Sequence, residues 1–172
     1  FMADPRAMQD PGRAFKENPM QDLVIDLEYT GVGPLYGYVG DPDDGDEFSK
    51  SHTEPHMRVE GTLQLGDQDP VSLSGWGLRD HSWGPRYWQA TPSYRWITGN
   101  FGDDLGMIIQ TYGNGEGGGL FHQGEQLVRF KSAKLSTVYE PGTIYHKTLE
   151  ADIELQNGNK HVVEGLSLIH IS

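Results

Sequence analysis

The sequence predicts an all-β fold of antiparallel strands, arranged as an up-and-down barrel or a strongly curved sheet. Three observations carry this. Apolar and polar residues alternate with a period of two along several stretches, the pattern of half-buried strands. Turn residues rich in Gly, Asp and Asn separate these stretches at short intervals. No stretch holds a convincing helical period over ten residues. A single curled sheet can enclose a cavity, because every second side chain points inward.

In chain order, residues 1–20 carry Pro5, Pro11 and Pro19 with weak periodicity and read as an irregular lead-in. A short helical turn at 13–17 has no strong signal behind it. Residues 22–29 alternate as a strand that Gly31, Gly33 and Pro34 break. The acidic run at 41–47 reads as an exposed loop, since its acids lack the alternate-position pattern of a calcium loop. Residues 56–65 alternate cleanly, and the turn at 66–69 leads into a partner strand at 71–80. Strands follow at 94–101 and 105–112, joined across Gly102, Asp103 and Asp104. The glycine-rich run at 113–119 reads as a flexible loop, without the lysine of a phosphate-binding loop. The remaining strands fall at 120–123, 127–139, 145–155 and 161–163, with Asn157-Gly158 as the strongest hairpin signal.

The expected organisation is a lead-in and the end of an N-terminal β lobe over 1–50, then a β lobe over 51–165. Residues 166–172 match a one-frame translation of a library adapter and are expected to be an artefact, the alternative being an ordinary terminal strand. Phe1 at the start leads to the expectation that the chain is an incomplete fragment. The net charge of −12 and pI of about 4.8 argue against nucleic acid or an anionic membrane as partner. No apolar run has the length of a membrane span. The absence of cysteine removes disulfide and thiol chemistry and is compatible with a cytoplasmic protein.

The densest chemistry lies at 75–88, where Trp76, Arg79, Asp80, His81, Trp83, Arg86 and Trp88 crowd together. If one strand runs through, Arg79, His81 and Trp83 share one face, and Trp76, Leu78, Asp80 and Ser82 the other. Gly84-Pro85 is expected to end that strand. An Asp beside a His suits general acid–base work. Indole faces line apolar pockets and stabilise cations. The bland alternative pairs Asp80 with Arg79 or Arg86 as a loop anchor, with the tryptophans as core. His52-x-Glu54-x-His56 would place two imidazoles and a carboxylate on one strand face, a set suited to zinc or iron. Pro55 interrupts that run and the acidic loop beside it suggests a surface, so neither a metal nor a cofactor is assigned. His122, His146 and His161 read as surface or satisfied histidines.

The run from Gly77 through Arg86 resembles the Asp-His-x-Trp-Gly signature of the hydroxyneurosporene synthase (carotenoid hydratase) and AttH-like group. The flanking residues Glu54 to Gly61, Tyr94-Arg95-Trp96 and Phe101 to Asp104 support the resemblance, which is nearest to a bacterial branch with the form Arg-Asp-His-Ser-Trp-Gly-Pro-Arg. The resemblance implies a lipocalin-like, or calycin-like, barrel that takes an apolar terpenoid, steroid or fatty acyl ligand. It also implies acid-catalysed hydration or isomerisation, with Asp80 or Asp103 as the acid, His81 orienting it, and Trp83 shielding the cation. Trp76, Trp88 and Trp96 would line the ligand, and Arg79 or Arg86 would hold a polar head. The alternatives are a non-catalytic lipophile-binding protein, and a structural motif that joins two β lobes.

Overall fold

The computed structural model describes residues 7, 9–39, 49–86, 89, 92–143 and 145–167, except for the side chains of 38, 39, 49, 50 and 86. The acidic run at 41–47 and Trp88 therefore lie outside the described residues. The elements are α1 (Pro11–Glu17), β1 (Leu23–Gly31), β2 (Gly37–Val39), β3 (Ser49–Thr53), β4 (His56–Leu65), β5 (Val71–Leu78), β6 (His81–Arg86), β7 (Tyr94–Asn100), β8 (Leu105–Tyr112), β9 (Glu116–Gln123), β10 (Gln126–Tyr139), β11 (His146–Leu155) and β12 (Lys160–Leu166). The fold is all-β, with antiparallel, strongly curled sheet. Among the described residues no helix is long and apolar enough to cross a membrane.

Two compact units divide the chain: Phe1–Thr30 with Arg58–Trp76, and Gly31–Met57 with Gly77–Ser172. The first holds α1 and a three-stranded sheet of order β1-β4-β5. The helix forms where its sequence signal was weak because Asp10 caps it, accepting from the Arg13 N–H at 3.2 Å, and Pro11 supplies a preset first turn. Arg13 and Glu17 add an i,i+4 ion pair at 2.6 Å.

In the second unit, one sheet runs β12-β11-β10-β9-β8-β7 and a smaller one runs β2-β3-β6. The larger sheet is the up-and-down meander that the turn spacing predicts. One face carries the core, with Met107, Ile109, Phe121, Phe130, Ala133, Leu135, Ala151 and Ile153 all buried. Phe121 and Phe130 meet edge to face with centroids 4.7 Å apart. The sheet bends within β10, where the register shifts between Phe130 and Ser132 against β11 and between Arg129 and Ala133 against β9. An extra residue at such a bulge increases local twist. The curl is large enough for Arg95 on β7 to donate to Thr137 Oγ1 and the Tyr139 hydroxyl on β10, across β8 and β9. In a flat sheet, three strand spacings of about 4.8 Å would hold those strands about 14 Å apart.

Three expectations fail. The glycine-rich run is not a loop: Gly117, Gly118 and Gly119 are paired in β9 against β8. The reason is close approach, since a Cβ at Gly117 would lie 2.0 Å from the Gln110 carbonyl oxygen and one at Gly119 would lie 2.9 Å from the Phe130 ring. Only a bare backbone lets that ring settle on the strand. Nor does one strand run through 71–88. The chain leaves β5 at Leu78 and joins a different sheet at His81, so the expected alternation breaks at Arg79-Asp80. Gly84-Pro85 does not end β6, which continues to Arg86. β6 is the outer strand of its sheet, where a proline removes no ladder hydrogen bond.

Candidate functional site

The register of β3 against β6 builds the first polar cluster. Thr53 pairs with His81 and His52 with Ser82, and beyond the strand ends the Arg79 N–H donates to the Pro55 carbonyl at 3.0 Å. Continuing that register sets Asp80 opposite Glu54. His52 and Glu54, two residues apart, project to one side of their strand. His52 Nε2 lies 2.5 Å from Asp80 Oδ1 and 3.6 Å from Glu54 Oε1. The cluster grades from interior to solvent: Glu54 is 5% exposed, whereas the Asp80 side chain is 48% exposed.

Glu54 is the electrostatically unusual member. Burial pushes its carboxyl above the ordinary value of 4.5; His52 opposes this, Asp80 adds to it, and a hydrogen bond from Trp96 opposes it again. Oε1 of this carboxylate is buried and has no hydrogen-bond partner among the described residues. Chemically, a buried carboxyl with a raised pKa can hold and donate a proton, and an imidazole between two carboxylates can ligate a cation.

The sequence-predicted residues distribute unevenly around this cluster. Asp80 belongs to it, and Trp96 reaches it through Glu54. The bland alternative of an Asp80–Arg79 pair is not what the geometry shows: Arg79 Nη2 donates to His81 Nδ1 at 2.8 Å. That leaves the ring proton of His81 on Nε2. His81 in turn meets the exposed Trp83 edge to face at 5.3 Å. Trp76 ends the part of β5 that lies in the first unit. Asp103 is exposed in the turn between β7 and β8, outside the three-residue cluster. The Arg86 side chain and Trp88 lie outside the described residues. Sequence reasoning noticed His52 and Glu54 but not their meeting with Asp80, which depends on the change of sheet after Leu78.

A second cluster was missed altogether. His122 is not at the surface and not satisfied: it is 1% exposed, with neither ring nitrogen hydrogen-bonded among the described residues. Its ring lies between two bare glycines. A Cβ at Gly33 would fall 2.8 Å from Nδ1, and one at Gly106 would fall 2.4 Å from Nε2. The His56 ring sits 4.8 Å away, with Nε2 3.3 Å from the Met107 carbonyl oxygen. Burial, then the charge of His122, lowers the His56 pKa below its ordinary 6.5. By contrast, His146 and His161 are exposed, as expected.

A third feature lies at one end of the curled sheet. Arg95 is half-buried, and its partners among the described residues are neutral: Thr137 Oγ1, the Tyr139 hydroxyl, and the Tyr139 ring at 5.8 Å. No carboxylate pairs with it among the described residues. It opens on a groove of about 390 Å³ lined by Tyr94, Tyr112 and Asn114. Thr137 also lines a groove of about 580 Å³ that includes Val138, Glu150, Glu164 and Leu166, residues one step out of phase with it in the register. Leu166 completes β12, and the Ser167 N–H donates to the Lys147 carbonyl at 3.0 Å; residues 168–172 lie outside the described residues.

The chain belongs to the family described as "Domain of unknown function (DUF7064)", whose profile matches residues 9–171. Searches of curated proteins and of solved structures return no match.

Proposed function

We propose that this member of the family binds an amphipathic, lipid-like molecule with an anionic head. Arg95 receives the head in the groove lined by Tyr94, Tyr112 and Asn114, with the apolar tail against the tyrosine ring faces there. One observation carries the reading: a half-buried guanidinium whose hydrogen-bond partners among the described residues are two neutral hydroxyls. A planar fork of donors with its charge uncompensated suits a carboxylate or similar oxyanion. The neighbouring tyrosines offer ring faces and hydroxyls. The likeness of residues 77–86 to the hydroxyneurosporene synthase and AttH-like group, whose lipocalin-like barrels take apolar ligands, supports the same ligand class. The head-binding arginine in this reading is Arg95, which is half-buried, rather than Arg79, which is exposed and turns one N–H to His81.

The test is displacement of a fluorescent fatty-acid analogue by a long-chain fatty acid and by its methyl ester. A hydrogen bond to a charged group is worth about 1.5–3 kcal/mol. Arg95→Gln is therefore expected to weaken binding of the acid by about 10- to 100-fold, since 1.4 kcal/mol is tenfold. The wild-type protein is expected to bind the ester as weakly as the variant binds the acid. Equal affinity of folded wild type and variant for the acid, or no binding by the wild type, overturns the reading.

A further inference from the structure

We propose that His52, Glu54 and Asp80 are the protein ligands of a divalent transition-metal ion, with at least one coordination position left open to solvent or substrate. The argument starts from donor chemistry. One imidazole nitrogen and two carboxylate oxygens form a mixed N/O set that Zn²⁺, Mn²⁺ and Fe²⁺ all accept. One donor atom from each residue lies within 4.8 Å of the other two. Metal–ligand distances of about 2.0–2.2 Å place neighbouring donors about 3.0–3.5 Å apart. His52 Nε2 and Glu54 Oε1, at 3.6 Å, already stand at that spacing. His52 Nε2 and Asp80 Oδ1, at 2.5 Å, must open, and the exposed Asp80 side chain is free to rotate outward.

A hydrogen-bonded His–Asp staple would account for the short contact but not for Glu54. That side chain is more than nine-tenths buried, it points at the same imidazole, and its Oε1 lacks any hydrogen-bond partner among the described residues. Leaving a buried carboxylate oxygen without a donor is costly. A cation at the centre of the three groups satisfies it directly. The Trp96 indole, hydrogen-bonded to the Glu54 carboxylate, would then orient a ligand, as outer-shell partners do in metal sites. Glu54 closes the inner side while Asp80 faces solvent, so three protein ligands leave the outer side open, as in sites where a metal binds water or substrate. This site is separate from Arg95, and the inference stands without the lipid-binding reading.

The full chain, stripped with chelator, is titrated with ZnCl₂ and MnCl₂ by calorimetry. The expected result is saturable binding of at least one of these ions at a single site. His52→Gln, Glu54→Gln and Asp80→Asn are each expected to weaken it at least tenfold, and His161→Gln, on the exposed side of β12, is expected to leave it unchanged. No saturable binding of either ion by the wild type overturns the proposal. So does binding that the three variants leave intact. Should circular dichroism show that the variants fail to fold, X-ray absorption of the metal-loaded wild type decides. One imidazole nitrogen among oxygen donors supports the site, and two or more imidazoles overturn it.

Discussion

Gly106→Ala tests the packing around the buried imidazole pair. The added methyl would lie 2.4 Å from His122 Cδ2 and Nε2 and 2.7 Å from His56 Cδ2. Comfortable carbon contacts are about 3.5–4.0 Å, so the rings must move by roughly an ångström. They have nowhere to go: His122 is fully buried, and the Gly33 backbone stands against the opposite side of its ring. Overpacking of this kind costs about 1–3 kcal/mol. Replacing a strand glycine by alanine returns about 0.5–1 kcal/mol of backbone entropy. The net loss is then about 1–2 kcal/mol, a fall of about 2–8 °C in Tm for a chain of this size. Urea unfolding provides the assay, with the midpoint shifting and the slope unchanged. The decisive arm repeats the substitution in a His122→Ala background, where the two closest contacts are gone, the His56 ring can shift into the vacated space, and the cost should fall to near zero. A cost that is the same in both backgrounds would refute the idea that the glycine exists to admit the ring. So would a single variant within 0.5 kcal/mol of wild type.

Two further predictions concern the acid cluster and the core. Because burial raises the Glu54 pKa, the folded state binds its proton more tightly than the unfolded chain does. Stability from this group is thus full below about pH 4.5 and falls as pH rises through the folded value. In metal-free protein Glu54→Gln should match wild type near pH 4 and exceed it at pH 7; urea midpoints across that range check the sign, and a variant less stable at both values defeats it. Phe130→Ala should cost about 3–5 kcal/mol, the usual range for a buried aromatic, because the ring is buried between Phe121 and the bare strand at Gly119. A loss below about 1 kcal/mol would mean that the core closes over the gap.

The strands that the sequence made plain are those with one wet and one dry face. β11 alternates in this way over Ala151, Ile153 and Leu155, and the bounds of β4 and β8 match those read from the sequence. The Asn157-Gly158 hairpin was equally visible, and it takes Gly158 at φ +85°. What stayed hidden depended on partners distant in sequence. Gly117, Gly118 and Gly119, with no strand propensity, pair in β9, where Gly119 admits the ring of Phe130, eleven residues on. His122 looked isolated because its neighbours, Gly33, His56 and Gly106, come from three other parts of the chain. Asp80 drew attention through its own motif, with arginines beside it. Its observed partner lies 28 residues upstream, and only the pairing of β3 with β6 brings the two together.

The bulge in β10 makes that strand two separately phased messages. Its inward-facing residues step from Val128 to Phe130, then skip to Ala133 and Leu135, an interval of three amid intervals of two. Along the strand the bulge resets the beat, and the outward-facing Lys134 and Ser136 keep their places only because of it. Loss of one codon in the middle of β10 would therefore be no small trim. It would turn one half of the strand inside out relative to the other, driving lysine inward and leucine into water. Length at this position is under a constraint that residue identity is not. Related chains should vary there in which residues they carry more readily than in how many.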